Sequence, residues 1–345
     1  MRRVADSTEA PICSVCIANY NGESMLSDCI DSVLAQQKVS GIIEVIVHDD
    51  ASTDGSLKLL RERYQQVRVI ESKENVGFCV SNNRMVEVAR GDHVLLLNND
   101  AALFPDALAN LLQAAHSRTP VGILTLPQYN WQSGALVDRG CLLDPFFNPV
   151  LNLDPARSDV AYVIGACLFL PRKLWNELGG FPEWMGSIAE DIYLCCLARL
   201  RGLPVTVTPR SGYRHHQGAS FGGNRVDAGK LNTTYRRRFL SERNKTAVMI
   251  VCTPTWLVWP LLLLHAGLLA VEGALLAMLK ADFGIWQGIY GPTLCYIVRE
   301  TGLLRMRRRE AQRARVIGLR AWFSPFTWWP RKLVLLWRHG LPRVR

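Results

Sequence analysis

Between Ile12 and Thr208, short apolar runs rich in β-branched residues alternate with segments of helical period, and few folds accommodate that alternation. Strands are expected at Ile12–Ala18, Ile42–His48, Val67–Glu71, His93–Leu97, Val121–Leu126 and Tyr162–Leu170. Helices are expected near Leu26–Gln36, Ser56–Tyr64, Cys79–Ala89, Pro105–His116 and Ile192–Arg201. Strands joined through a helix pair in parallel, because the crossover returns the chain to the same end of the sheet. The pattern therefore predicts an α/β domain on a mostly parallel sheet. In such sheets ligands bind beyond the carboxyl ends of the strands, so the loops after the strands are where chemistry belongs.

Several function classes lose their warrant at once. No G-x-G-x-x-G follows the first strand, no G-x-x-x-x-G-K-[ST] occurs, and a G-x-S-x-G elbow is missing. The ten cysteines are scattered. Cys13 and Cys16 have C-x-x-C spacing, but no second pair completes a zinc site, and strand alternation sends them to opposite faces. Free buried thiols fit a reducing cytoplasm. The start, MRRVADSTEAP, reaches Ile12 with no long apolar h-region, so the first domain is expected to stay inside the cell.

What remains is polar chemistry at strand tips. The second strand runs into His48-Asp49-Asp50-Ala51-Ser52-Thr53-Asp54-Gly55-Ser56, a tight turn whose carboxylates can hydrogen-bond a base or ribose; Asp54 or Ser56 can also cap the helix that follows. The fourth breaks into Asn98-Asn99-Asp100, hard oxygen ligands suited to Mg²⁺ or Mn²⁺. Glu190-Asp191 stands at a helix start, where either acid gains from the helix dipole or one serves as a general base. His215-His216 lies in a polar, Gly-rich context. The stretch 127–160 reads as a long loop that could shape an acceptor pocket.

In order, SVCIANYNG, EVIVHDDASTDGS, NVGFCVSNN, GDHVLLLNNDA, GACLFLPRKLWNELGGFPE, AEDIYLCCLARLRG and HHQGAS resemble the family 2 inverting glycosyltransferases of the GT-A fold, and among them the rhamnosyltransferase-like branch. The resemblance spans about residues 12 to 220. It implies a hexosyl- or deoxyhexosyltransferase that takes its sugar from a nucleotide diphosphate and delivers it to a lipid-linked or growing surface glycan. It assigns Asn19, Asp49, Asp50, Asp54, Asn75, Gly77 and Asn99 to the donor nucleotide, Asp100 and His216 to a Mg²⁺ or Mn²⁺ ion, and Asp191 to the catalytic base, with Glu190 and His215 nearby. The family's D-x-D triplet is here Asn98-Asn99-Asp100, with a single carboxylate. That departure motivates an alternative, a non-catalytic GT-A scaffold of glycan assembly.

The tail has a different composition. Between Arg299 and Arg345, 13 Lys/Arg face 2 Asp/Glu, so the net charge of +10 resides there. A charge-free stretch, Thr246–Val271, is long enough to cross a bilayer, but Pro254 and Pro260 interrupt it. A catalytic domain that uses cytoplasmic nucleotide sugars and a cytoplasm-favouring arginine cluster fit zero or two crossings. Zero is preferred: helices lie in the inner leaflet of the cell membrane at its cytoplasmic face, with Arg305, Arg307, Arg308, Arg309, Arg313 and Arg315 toward anionic headgroups and Trp322, Trp328, Trp329 and Trp337 at the interface. The tryptophans and apolar runs point to lipid rather than nucleic acid. The expected division is a catalytic domain over 1–225 and a basic, Trp-rich helical region over 226–345.

Overall fold

The computed structural model describes residues 10–216, 225–227 and 230–344. In chain order the elements are β1 (Cys13–Asn19), α1 (Glu23–Leu34), β2 (Ile43–Asp49), α2 (Ser56–Arg63), β3 (Arg68–Glu71), α3 (Phe78–Val88), β4 (His93–Asn98), β5 (Ala101–Leu103), α4 (Ala107–His116), β6 (Ile123–Thr125), β7 (Gln128–Asn130) and β8 (Leu136–Asp138). There follow β9 (Cys141–Leu143), β10 (Pro149–Leu151), β11 (Cys167–Pro171), α5 (Arg172–Leu178), α6 (Glu190–Leu200), β12 (Val205–Val207), β13 (Tyr213–His215), β14 (Arg225–Asp227) and β15 (Lys230–Thr233). The tail forms α7 (Tyr235–Cys252), α8 (Val258–Leu279), α9 (Gly291–Arg299), α10 (Thr301–Arg313), α11 (Leu319–Phe323), α12 (Arg331–His339) and β16 (Arg343–Val344). Two units result: 10–140 with 152–187 and 203–216, and 141–151 with 188–202 and the described residues beyond 216. The N-terminal 1–9 and the Gln217–Ser220 part of the HHQGAS segment lie outside the described residues.

The first unit is built on a seven-stranded sheet in the order β12-β6-β11-β4-β1-β2-β3. β1 runs parallel to both β2 and β4, with Asn19 opposite Asp49 and Ala18 opposite Asn98. β11 alone is reversed, antiparallel to β4 and β6. The sheet is thus mostly parallel, as the alternating pattern requires. Val15, Cys16 and Ile17 are all fully buried, so both faces of the central strand are covered, as in parallel sheets flanked by helices. On one face Leu26, Cys29, Ile30 and Val33 of α1, spaced at i, i+3, i+4 and i+7, join Leu108, Leu111, Leu112 and Ala115 of α4 in a common core with Cys13, Val15 and Ile17. Cys13 belongs to that core and the equally buried Cys16 does not, as strand alternation demands. All ten cysteines are free, and burial pushes the Cys13 and Cys16 thiols well up, so they act as core filler.

Two expectations need correction in this unit. Of the run Tyr162–Leu170 only the part from Cys167 is a strand, which continues to Pro171; the first half is mostly buried with no more than an isolated bridge at Tyr162, and an apolar run reports burial before it reports a strand. The stretch 127–160 is not a loop. It holds β7 and β8, which complete a four-stranded sheet in the order β5-β13-β7-β8, and then the β9–β10 hairpin, which belongs to the second unit. Strands of three residues are too short to display a period.

In the second unit the charge-free stretch Thr246–Val271 is two helices. α7 ends at Cys252, Thr253 is extended ahead of Pro254, and α8 starts at Val258, because a residue before proline is driven out of the helical region. α8 is the one helix among the described residues long and apolar enough to cross a membrane. One of its faces is engaged: His265 contacts the Thr246 hydroxyl at 2.9 Å, and Glu272 pairs with Arg238 and Lys332 at 2.7 Å each. The rest exposes Leu263, Leu268, Val271, Leu275 and Met278.

At the centre of this unit Glu242, 1% exposed, receives Lys332 at 2.9 Å, Arg238 at 3.1 Å and Lys245 at 3.6 Å. Burial opposes the Glu242 carboxylate, but Lys245, Lys332 and Arg238 together hold its carboxyl well below the usual range. Two tail expectations fail here. Trp322 is fully buried against Phe326, whereas Trp328, Trp329 and Trp337 are exposed. Arg308 is half-buried and donates to the carbonyls of Ile250 and Thr253 at the end of α7, where a cation satisfies otherwise unpaired acceptors.

Candidate functional site

The parallel order β4-β1-β2 brings Asn98, Asn19 and Asp49 side by side at one edge of the sheet in the first unit. Asn19 is the centre of this row. Its Nδ2 donates to Asp49 Oδ2 at 2.9 Å, and its Oδ1 accepts from Asn99 Nδ2 at 2.8 Å. Gly22 starts α1 directly above them. A Cβ there would stand 2.1 Å from Asn99 Nδ2 and 2.3 Å from Asn19 Oδ1, so only glycine lets the helix start approach the pair.

The acids of the second strand tip build the wall. Asp49 is fully buried, and besides Asn19 it accepts from the Ser52 N–H at 2.9 Å, which folds the turn back on itself. Both oxygens of Asp50 accept backbone N–H groups, Val76 at 2.7 Å and Gly77 at 2.9 Å, and so pin the segment entering α3. Gly77 takes a left-handed φ of 87°, and Asn75, two residues earlier, is exposed. Asp54 accepts from the Ser56 N–H and the Glu23 N–H, both at 3.0 Å, tying together the starts of α1 and α2. Burial works against the Asp54 carboxylate, but hydrogen bonds from the Ser56 hydroxyl and these two N–H groups hold its carboxyl below the usual range.

Asp100 follows the β4 tip, and the antiparallel pairing of β5 with β13 places His215 opposite Ala101. His215 Nε2 lies 3.0 Å from Asp100 Oδ1. The imidazole is fixed from behind: its Nδ1 faces Gln128 Oε1 at 3.3 Å, and that oxygen also accepts the Tyr213 hydroxyl at 2.7 Å. Because Oε1 only accepts, the ring donates from Nδ1, and a neutral ring then turns a bare Nε2 toward a carboxylate oxygen. Two acceptors at that distance require a proton or a cation between them. The spacing suits two adjacent ligands of an octahedral divalent ion with bonds of about 2.1 Å. Among the described residues no three His, Cys, Asp or Glu gather as a cation site, so Asp100 and His215 would supply two ligands and leave the others to water and phosphate oxygens.

His216, the expected ligand, does not occupy that position. Its N–H donates to the Asp100 carbonyl at 3.0 Å, while its ring stacks on Trp131 with centroids 4.1 Å apart. Neither Gln128 nor Trp131 carried a signal in the sequence, since both sit in or beside a three-residue strand.

Glu190 and Asp191 open α6 in the second unit. Ile188 and Ala189 before them adopt φ of 71° and 70°, a left-handed pair without glycine, and Asn244 Nδ2 holds the Ile188 carbonyl at 2.7 Å. Strain of this kind persists only where surrounding structure enforces it. Asp191 Oδ1 accepts from the Ile192 N–H at 2.7 Å. Burial, and then the neighbouring Asp191 carboxylate, pushes the Glu190 carboxyl up to about 8. Two adjacent carboxyls thus share one buried helix start, each opposing ionisation of the other.

Comparison with known proteins converges on one family. Residues 14–179 match the model described as glycosyl transferase family 2. A poly(ribitol-phosphate) beta-glucosyltransferase of Bacillus spizizenii is 34% identical over 205 residues, 58% of this chain and 31% of that protein. An N-acetylglucosaminyl-diphospho-decaprenol L-rhamnosyltransferase of Mycobacterium tuberculosis is 26% identical over 211 residues, 52% of this chain and 68% of that one. The chain spans between 21% and 31% of the length of several curated relatives it matches. Among solved structures, a mannosyltransferase of Pyrobaculum calidifontis in complex with GDP-Man and Mn²⁺ superposes with a TM-score of 0.52 at 18% identity, covering 88% of this chain and 86% of its own. At that identity the likeness concerns the fold, which is GT-A. Residues 14–179 match a glycosyl transferase family 2 domain, and the fold is GT-A.

Proposed function

We propose that the protein is an inverting glycosyltransferase that moves a hexose or deoxyhexose from a nucleotide-diphosphate donor to a lipid-linked or growing surface-glycan acceptor. The observation that carries this reading is the Asp100–His215 pair beside the strand-tip row of Asn19, Asp49 and Asn99. The names of the Bacillus and Mycobacterium relatives, which put glucose on poly(ribitol-phosphate) and rhamnose on N-acetylglucosaminyl-diphospho-decaprenol, favour the same acceptor class.

Asn19, Asp49, Asp50, Asp54, Asn75, Gly77 and Asn99 form or support the donor side, with the N–H groups pinned by Asp50 holding its shape. Asp100 and His215 would hold Mg²⁺ or Mn²⁺, the latter the ion named with the Pyrobaculum structure. When bound, the ion neutralises charge developing on the departing nucleoside diphosphate. Asp191 takes the proton from the acceptor hydroxyl as its oxygen attacks the anomeric carbon; the C–O bond to the diphosphate breaks in the same displacement, which inverts the centre.

Functionally, residues 1–225 serve catalysis and 226–345 serve attachment at the cytoplasmic face of the membrane. The exposed apolar side chains of α8 and α12 and the exposed Trp328, Trp329 and Trp337 support a peripheral mode.

Asp100→Ala is expected to weaken donor binding by ~100-fold, about 3 kcal/mol, and to remove any response to added Mg²⁺ or Mn²⁺, read by titration of the nucleotide sugar with and without the ion. Full wild-type turnover in chelator contradicts the metal assignment. The small protein ligand set favours one competing reading, a non-catalytic scaffold, which predicts donor binding without turnover at any metal concentration.

A further inference from the structure

The second unit contains a cavity of about 500 Å³ lined by Trp259, Arg305, Arg308, Arg309, Gln312 and Arg315, with no acidic side chain among its described lining residues. Residues 305, 308, 309 and 312 recur at i, i+3, i+4 and i+7, so one face of α10 carries them all. Two of the four are anchors. Arg308 donates to the carbonyls of Ile250, Thr253 and Thr255, and Gln312 Nε2 donates to Val251 and Cys252 at 3.1 and 3.2 Å, which locks α10 against the end of α7. Arg305 and Arg309 are left exposed on the same face, one turn apart, a like-charge pair that costs stability unless an anion joins it. The Arg305 guanidinium lies over the Trp259 ring, 5.6 Å from its centroid. Stacking fixes the plane of an arginine while leaving its edge free to donate, the arrangement that suits a phosphate.

The surroundings of Trp259 favour an amphiphile over a soluble anion. Trp259 lies in the first turn of α8, and one turn further on Leu263 is 76% exposed, followed on the outer surface by Leu264, Leu268 and Val271. A basic cavity therefore opens beside an apolar helix face. We propose that it binds the phosphate of a membrane lipid, with the headgroup between Arg305, Arg309 and Arg315 and the hydrocarbon chain along α8. A terminal phosphomonoester or diphosphate, which offers more oxygens to several arginine forks, is preferred over a phosphodiester. Neither the donor nucleotide nor its metal takes part, so this binding and the proposed catalysis fail separately.

The test is co-sedimentation of the full chain with phosphatidylcholine vesicles carrying phosphatidic acid, against vesicles matched in surface charge with phosphatidylglycerol. The wild type is expected to prefer phosphatidic acid by about tenfold, because each added fork-to-phosphate contact is charge-assisted. Arg305→Gln with Arg309→Gln is expected to abolish the preference. Arg320→Gln with Arg338→Gln, an equal change of charge outside the cavity, should retain it. Arg305→Lys with Arg309→Lys guards against misfolding: it keeps the charge, loses the fork, and should lose the preference while still binding both vesicles. Equal wild-type binding to the two vesicles, or a preference that survives in the cavity variants, overturns the assignment. Inorganic pyrophosphate that displaces the protein from phosphatidic acid vesicles at micromolar concentration would reassign the cavity to a soluble phosphate and overturn the lipid.

Discussion

Asp191→Asn lowers kcat by ~10³-fold while the affinity for the nucleotide sugar stays within a few-fold, since general-base catalysis contributes roughly 10²–10⁴ and acts on the acceptor. The change is nearly isosteric. The amide oxygen can still accept the Ile192 N–H that orients the side chain, so the start of α6 is preserved and only proton acceptance is lost. Turnover is read as nucleoside diphosphate released at saturating donor, and affinity by titration in the absence of acceptor. Near-wild-type turnover in this variant removes Asp191 from its role. A parallel collapse of donor affinity indicates instead a general disturbance of the protein.

The second large effect concerns stability. Glu242→Gln destabilises the second unit by about 3–5 kcal/mol, because removing one partner from a buried ion cluster strands the charges left behind. Here three cations converge on one buried carboxylate: Arg238 from its own helix, Lys245 one turn on, and Lys332 from α12. Glu272 compensates two of them, which places the cost toward the lower end. The folded carboxyl lies below its unfolded value, so the stability it contributes is present above the ordinary carboxylate range and is lost as pH falls through the folded value. The wild type should therefore lose stability on acidification over that range, and Glu242→Gln should lose less. Urea unfolding followed by tryptophan fluorescence reads both, and a loss under about 1 kcal/mol shows that the cluster is dispensable.

Legibility in the sequence followed element length. β1, β2 and β4 have six or seven residues of mostly apolar, β-branched composition, enough to show themselves and to place Asn19, Asp49 and Asp100 at tips where a parallel sheet binds ligands. β5, β7 and β13 have three residues each and show no period, yet their pairing carries His215 across 115 positions to Asp100. Which of His215 and His216 turns its ring to the Asp100 carboxylate depends on that register, since β13 ends at His215 and His216 lies just beyond it.

The other misses have the same physical origin. Glu190-Asp191 is visible as a pair of acids at a helix start, but the left-handed turn before it is formed by Ile188 and Ala189, residues that announce no such conformation. In the tail, composition separated apolar from basic segments without telling which side chains face inward. Trp322 packs into the unit and Trp337 is 85% exposed, although both sit among arginines and leucines. Arg308 is indistinguishable from its arginine neighbours by composition, yet it closes the end of α7.

The most direct test of the whole account is release of nucleoside diphosphate by the full chain, supplied with Mn²⁺, a glycan acceptor pool and a panel of UDP-, GDP- and dTDP-linked sugars. Saturable, acceptor-dependent release is expected from at least one hexose or deoxyhexose donor, with the new glycosidic bond of opposite anomeric configuration to the donor. Transfer with retained configuration contradicts the single-base displacement at Asp191, and an absence of both binding and release across the panel contradicts the donor site at Asn19, Asp50, Asn99 and Asp100.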